Sequence, residues 1–255
     1  MLTLTKKVII TTSWDDGGLL DVKLSELLIK HGIPATFYFP ISNNERKCID
    51  REKMREMAET FDIGAHTLSH VDLTKLSPQQ IRREVYEGKK RLEEIVKREV
   101  QMFCYPYGSY NANVVNIIKR AGFIGARTTR YFDTTINDPF TFGTTLKAYE
   151  ERKKAYYIKE YLSSRCKGDI RLILYLLRIG LFSKSWDEIA LTALKYLTKH
   201  GGIWHLWGHS HEIDKQNNWQ KLDDLLRNVR GIAEIHEIPM MNNSQVLNHA
   251  NKARV

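Results

Sequence analysis

The sequence predicts an α/β fold: a distorted (β/α) barrel, closed or incomplete, of about seven strand–helix units in a single domain. Three observations predict it. Strand and helix signals alternate along the chain, which favours a parallel sheet with helical crossovers. The 255 residues, 42% of them hydrophobic, suffice for one large core, and no repeat, low-complexity run or Pro/Ser-rich linker divides them. The residues able to do chemistry fall where strands end, the edge at which α/β folds bind ligands. The expected layout is a catalytic domain over 1–240 and a frayed, Asn-rich tail over 241–255.

Val8-Ile9-Ile10-Thr11-Thr12 is apolar and β-branched and reads as a buried strand. Gly17-Gly18 breaks it, and Leu19, Leu20, Val22, Leu24, Leu27 and Leu28 carry helical spacing. His31-Gly32-Ile33-Pro34 stops that helix, and Ala35 to Phe39 is the second strand. Asp50 to Thr60 is a short polar helix, and Phe61 to Ala65 is a strand that delivers His66. Ser77-Pro78-Gln79-Gln80 starts a helix, with Ser as N-cap, Pro in the first turn and Gln three residues on; it continues to about Lys97. Gln101 to Tyr105 is a strand closed by Pro106-Tyr107-Gly108. Ala112 to Ala121 is a helix stopped by Gly122, and Phe123 to Ala126 is a strand leading into Arg127-Thr128-Thr129.

Beyond this point the pattern weakens. A strand is expected over 142–148, helices over 150–163, 170–181 and 186–199, and a late strand over Ile203 to Trp207, followed by Gly208-His209-Ser210-His211. Trp219 to Val229 reads as a helix and Ile232 to Ile238 as a short strand. The segment 170–182 is apolar nearly all round apart from Arg171 and Arg178. The preferred reading is a buried helix with its arginines at the rim. The other is a peripheral contact with a membrane or lipid substrate.

Net charge is +9, from 39 Lys+Arg against 30 Asp+Glu. It fits an anionic partner, although an ordinary basic surface is the simpler account. The basic residues are scattered, so no nucleic-acid tract is expected. Three widely spaced cysteines, Cys48, Cys104 and Cys166, imply neither a disulfide framework nor a Cys-x-x-Cys site. Residues 1–7 do not read as a signal peptide, and no run approaches the roughly 20 apolar residues of a membrane span. The expected setting is cytoplasmic.

Asp15 and Asp16 sit where the first strand stops, and neighbours at a strand end point different ways. One carboxylate can hold a metal while the other abstracts a proton; the competing reading is a pair that caps the next helix. His66 and His70 are spaced to converge on one ion. A lone His-x-x-x-His is weak in a chain with nine histidines, but here it follows a strand and a Gly-Ala, which puts it in a loop. One Asp and two His suit catalytic Zn2+, and Co2+, Ni2+ or Mn2+ would also fit. A metal lowers the pKa of bound water, Asp15 can then serve as base, and a histidine from the opposite rim can protonate the leaving group. Tyr107-Gly108 can offer a backbone N–H to an oxyanion.

Ser13-Trp14-Asp15-Asp16-Gly17, Gly64-Ala65-His66-Thr67-Leu68-Ser69-His70 and Tyr105-Pro106-Tyr107-Gly108, in that order, resemble the polysaccharide deacetylases, the chitin-deacetylase-like carbohydrate esterases. The resemblance covers about residues 7–130 and again 201–212, and the first two motifs together are highly specific. It implies a distorted (β/α) barrel and metal-dependent removal of an N- or O-acetyl group from a sugar. It also implies Asp15 as general base, Asp16, His66 and His70 as metal ligands, and Tyr107 as the oxyanion residue. The chain departs from the family at Cys104, where the family often has the Arg that braces the base; Arg127, at the end of the next strand, can substitute. The family's acid His matches His209 best, with His205 second and His211 further into the loop; Asp214 or Glu212 can orient it. Trp14, Tyr105, Tyr107, Trp204 and Trp207 are aromatics near the mouth; Trp207 is taken as substrate-binding and Trp204 as core. The expected substrate is an acetylated sugar, anionic or lipid-linked. The alternatives are an allantoinase-like C–N hydrolase on the same barrel and an inactive glycan-binding protein. The sequence does not speak to oligomeric state.

Overall fold

In the computed structural model the described residues are 7–148, 168–180 and 184–252. β1 (Val8–Asp15) is the axis of the sheet. Its odd residues Ile9, Thr11, Ser13 and Asp15 face one side and its even residues Val8, Ile10 and Trp14 the other, as strand alternation requires. All eight are buried, because a parallel sheet curled on itself covers both faces.

The remaining strands are β2 (Thr36–Phe39), β3 (Asp62–Ala65), β4 (Met102–Cys104), β5 (Gly125–Arg127), β6 (Leu146–Lys147) and β7 (Gly202–Gly208). Their order is β5-β4-β3-β2-β1-β7-β6, and every pairing is parallel. The run from 142 to 147 joins the two edges. Phe142 pairs in parallel with Arg127 at the end of β5, while Leu146 pairs with Leu206 of β7. This is an incomplete barrel with all strand ends aimed one way, as the alternating pattern predicts. The expected strand over 142–148 shrinks to β6.

The helices are α1 (Asp21–His31), α2 (Arg51–Thr60), α3 (Pro78–Val96), α4 (Ala112–Arg120), α5 (Ile170–Arg178), α6 (Trp186–His200), α7 (Ser210–Lys215), α8 (Trp219–Ile235) and α9 (Asn243–Lys252). The α3 start is the expected capping box: Ser77 accepts from the Gln80 N–H and Gln80 accepts from the Ser77 N–H. Trp14, Trp204, Phe37 and Phe103 lie in the core between sheet and outer helices. The expected helix over 150–163 lies outside the described residues.

Three expectations are corrected. The tail over 241–255 is not frayed where it is described. α9 inserts Val246, Leu247 and Ala250 among Ile9, Tyr38, Met102 and Ile203, plugging the barrel at the N-terminal ends of its strands. Its first residue, Asn243, is buried, accepts from Thr11 Oγ1 and donates to Tyr38 Oη, each at 2.9 Å. The Asn-rich composition that read as disorder is a set of cap and network groups. The strand expected at 232–238 is the last turn of α8 and the turn after it, because Ile232 and Ala233 continue that helix's apolar face. Finally, α5 buries Leu172, Ile173 and Leu176 but leaves Ile170, Leu174 and Tyr175 exposed, with Ile179 exposed just after it, so the buried helix is only half right. No helix among the described residues is long and apolar enough to cross a membrane.

Candidate active site

The strand ends converge on a pocket of about 350 Å³ lined by Asp15, Asp16, His66, His70, Tyr107 and Trp207, with His209, His211 and Glu212 on the far wall. Asp15 ends β1, and Asp16 turns out of the strand at φ 81. Thr67 (φ 70), His70 (φ 52) and Tyr107 (φ 57) are also left-handed. Such conformations are costly for residues with a Cβ and persist where neighbours over-determine them. Here α3 does so for the histidine loop. Glu84 Oε2 accepts from the Leu68 and Ser69 N–H groups at 3.1 and 2.9 Å, and its Oε1 accepts from Ser69 Oγ at 2.7 Å. Gly88 permits that approach, since a Cβ there would lie 2.9 Å from the Leu68 nitrogen.

Asp16 Oδ1 lies 3.6 Å from His66 Nε2 and 3.1 Å from His70 Nε2. These atoms are close, yet Asp16 Oδ1 is buried with no aligned hydrogen-bond donor. Asp16 Oδ1 and the two Nε2 atoms thus converge on one point. His66 Nδ1 donates to the Cys104 carbonyl at 2.9 Å, which leaves Nε2 unprotonated and directed at Asp16. The donor set and its second-sphere support fit a divalent metal at Asp16, His66 and His70, which is also one of the clusters whose ligand atoms lie within 4.8 Å of one another. Burial is the largest influence on the Asp16 carboxyl and raises its pKa, but the close His66 and His70 rings and the His209 charge overcome it, so the net shift is downward.

Asp15 is ion-paired with Arg127, whose guanidinium is wholly buried. Cys104 and Arg127 are direct partners in the β4–β5 register, and Cys104 Sγ lies 3.7 Å from Asp15 Oδ2. The small Cys104 leaves the space that the Arg127 side chain crosses from the neighbouring strand. Arg127 also stacks between Trp207 and Tyr38, its Cζ 4.7 and 5.3 Å from the two ring centroids. Burial pushes the Asp15 pKa up, whereas Arg127, followed by His66 and His209, brings it down; the net shift is downward. Arg127 therefore touches the candidate base. It is not among the residues lining the pocket, so it is not a substrate contact and its place is the one expected of a brace for the base.

The two late histidines separate clearly. His205 shares the inward parity of His209, but it is fully buried one layer below the pocket. Its Nδ1 donates to the Gly143 carbonyl at 3.0 Å and its Nε2 meets Ser13 Oγ at 2.8 Å. His209 lies in the pocket, with Nε2 3.9 Å from both Asp15 Oδ2 and Asp16 Oδ2 and Nδ1 2.6 Å from Glu212 Oε2. Glu212, not Asp214, is the partner; Asp214 instead accepts from Trp219 Nε1. Burial is the main cause that brings the His209 pKa down to about 3.

Trp207 is a buried wall, stacked behind by Arg127. Tyr107 is half exposed, and its hydroxyl donates to Glu45 at 2.7 Å. Trp14 and Trp204 are core, not mouth. Glu45, Arg46, Tyr131 and Lys147 also line the pocket and were missed; the first three sit in stretches with no strand-end signal, and Lys147 ends the weakly patterned strand expected over 142–148.

The polysaccharide deacetylase family model matches residues 3–126. The Bacillus subtilis (strain 168) protein YxkH, by name a polysaccharide deacetylase, is 31% identical over 131 residues, 48% of this chain and 46% of that protein. A chitooligosaccharide deacetylase of Rhizobium leguminosarum bv. trifolii is 30% identical over 106 residues, 42% of this chain and 46% of its own. The chain thus spans about half the length of the curated relatives it matches. A Mycobacterium smegmatis structure described as a polysaccharide deacetylase superposes with a TM-score of 0.67 at 15% identity, covering 100% of this chain and 94% of that one; at that identity it supports the barrel fold. The family match stops one residue before Arg127 and does not reach His209.

Proposed function

From membership of the polysaccharide deacetylase family, carried by residues 3–126, we propose that this protein is a metal-dependent hydrolase that removes an acetyl group from an N- or O-acetylated sugar or glycoconjugate. The observation that carries the reading is a complete Asp16/His66/His70 donor set with a second, separately braced carboxylate, Asp15, in the same pocket.

Asp16, His66 and His70 would hold the metal. When bound, it would polarise the acetyl carbonyl and lower the pKa of the attacking water. Asp15, kept ionised by Arg127, accepts the proton that this water loses. The Tyr107 N–H, presented from a left-handed turn in the pocket, donates to the developing oxyanion. His209 hands a proton to the departing amine or alcohol. Its Nε2 is 3.9 Å from Asp15, so the proton Asp15 takes up can reach it. The neutral ring fits a group that carries a proton only transiently, with Glu212 fixing its Nδ1–H. Trp207 and Tyr107 wall the pocket with rings, which suits the apolar face of a sugar.

The test is metal analysis of protein purified without chelator, for wild type and His66→Ala, followed by acetate release from N-acetyl and O-acetyl sugars. About one equivalent of Zn2+ or a similar metal, lost in the variant, and acetate release that depends on it are expected. Full acetate release by metal-free protein would overturn the mechanism.

A further inference from the structure

One wall of the pocket carries positive charge that the deacetylation chemistry does not use. Arg46, from the loop after β2, and Lys147, from β6, both line the pocket. Their side chains are 38% and 16% exposed, so both reach solvent inside it. Both meet at one corner, because each acts on the charge of both His211 and Glu212. Lys147 is also held 5.1 Å above the Trp207 ring, on the wall assigned to the sugar.

Each cation has an acidic neighbour within ion-pair reach. Arg46 Nε is 3.5 Å from Asp16 Oδ2, and Lys147 Nζ is 3.7 Å from Glu212 Oε2. Neither acid is at a cation's sole disposal. Asp16 belongs to the metal-ligand set, and a cation bound there would draw it away from Arg46 and repel the guanidinium. Glu212 is engaged by His209 Nδ1 at 2.6 Å. The corner also holds three metal-capable groups, His209, His211 and Glu212, with ligand atoms within 4.8 Å. Two adjacent cations make it a poor site for a second metal. Burial, with Arg46 next in order, lowers the His211 pKa to about 4, so that ring is a neutral hydrogen-bonding group at pH 7.

We propose that Arg46 and Lys147, with His211 beside them, bind an anionic group on the acetylated sugar, so that the preferred substrate is an acidic sugar bearing a phosphate or carboxylate. Arg46 and Lys147 are then specificity residues. Arg46 offers a planar fork to the anion and Lys147 a point charge beside the sugar ring. The inference rests on the pocket being a sugar-deacetylase site, and the experiment separates the two.

Binding is measured by calorimetry on metal-loaded protein carrying Asp15→Asn, where turnover is removed, and acetate release on the metal-loaded protein with Asp15 intact. The probes are N-acetylglucosamine, its 1-phosphate and 6-phosphate, and an N-acetylated uronic acid. At least one charged probe is expected to bind about tenfold tighter than the neutral sugar, a preference that fades with added salt. The Arg46→Gln/Lys147→Gln protein should lose that preference. Phosphate-only or carboxylate-only preference identifies the anion. Equal binding of charged and neutral probes overturns the inference, and acetate release from the neutral sugar would then leave the deacetylase reading standing. A charge preference that survives the double substitution also overturns it. Charge-selective binding lost in the double variant, without acetate release from any probe, supports the anion corner and overturns the deacetylase reading instead.

Discussion

Replacing Arg127 by Leu tests how the candidate base is kept ionised. The side chain is wholly buried, Asp15 is nearly so, and the two are ion-paired. Two unit charges about 4 Å apart in a partly shielded interior interact by about 4 kcal/mol. Removing one partner of a buried pair costs about 3–5 kcal/mol, because the other charge stays desolvated. Burial is already the largest influence on Asp15 and acts upward. Without Arg127 it is opposed only by His66 and His209 and by any bound metal, so the carboxyl spends more of its time protonated. We expect Arg127→Leu to lower kcat by about 100-fold at neutral pH, the scale of a lost general base, and to move the acid limb of the kcat/KM profile to higher pH. Metal content should stay near one equivalent, since Arg127 touches none of Asp16, His66 or His70. Because Cys104 and Arg127 face each other in register, Cys104→Arg combined with Arg127→Ala should restore part of the activity and return the acid limb downward. An Arg127→Leu protein that folds, holds metal and keeps both kcat and its acid limb would refute the reasoning.

Other outcomes follow from the same geometry. His209→Gln should lower kcat by about 100-fold or more with little change in KM, whereas His205→Asn should mainly lower thermal stability, because His205 is one layer too deep to meet substrate. Leu247→Ala should destabilise the protein by about 2–5 kcal/mol in urea unfolding, the cost of a cavity; a frayed tail would show no change. Asp21 is buried, accepts from Ser210 Oγ and has its pKa raised, first by burial and then by Asp16 and Asp15. A raised folded-state pKa favours folding below the unfolded value and costs stability as pH climbs toward the folded one. Asp21→Asn should therefore gain about 1 kcal/mol over wild type at pH 8 and less at pH 4 by thermal unfolding. Asp15 and Asp16 have the opposite sign: their depressed pKa values stabilise the metal-free fold above about pH 4, and that contribution is lost as pH falls, which acid titration of the fold will show.

The parts of the site that were legible in the sequence are those where local chemistry and strand geometry coincide. Asp15-Asp16 and the His66/His70 pair each follow a short apolar strand, and parallel strands must end on one side. Arg127 was reachable by the same logic, because a missing Arg on β4 and a present one on β5 occupy facing places in a parallel register. Parity alone could not separate His205 from His209. Both point inward, and they differ in depth, His205 lying in the middle of β7 and His209 just past its end.

What stayed hidden depends on closure rather than pattern. Arg46 lies in a loop and Lys147 at the end of a weakly patterned strand, and only the curl of the sheet brings the loop after β2 near β6. α9 was misread because short polar residues at a helix start resemble a disordered tail until their partners are known. Asn243 is a buried network member only because Thr11 and Tyr38, both pointing into the barrel, supply the donor and the acceptor, in that order, that satisfy it. The same dependence explains why Cys104 reads as a defect in isolation and as an accommodation in the fold. A small residue on β4 is the condition for a guanidinium to enter from β5, and the charge beside Asp15 is retained while its source moves by one strand.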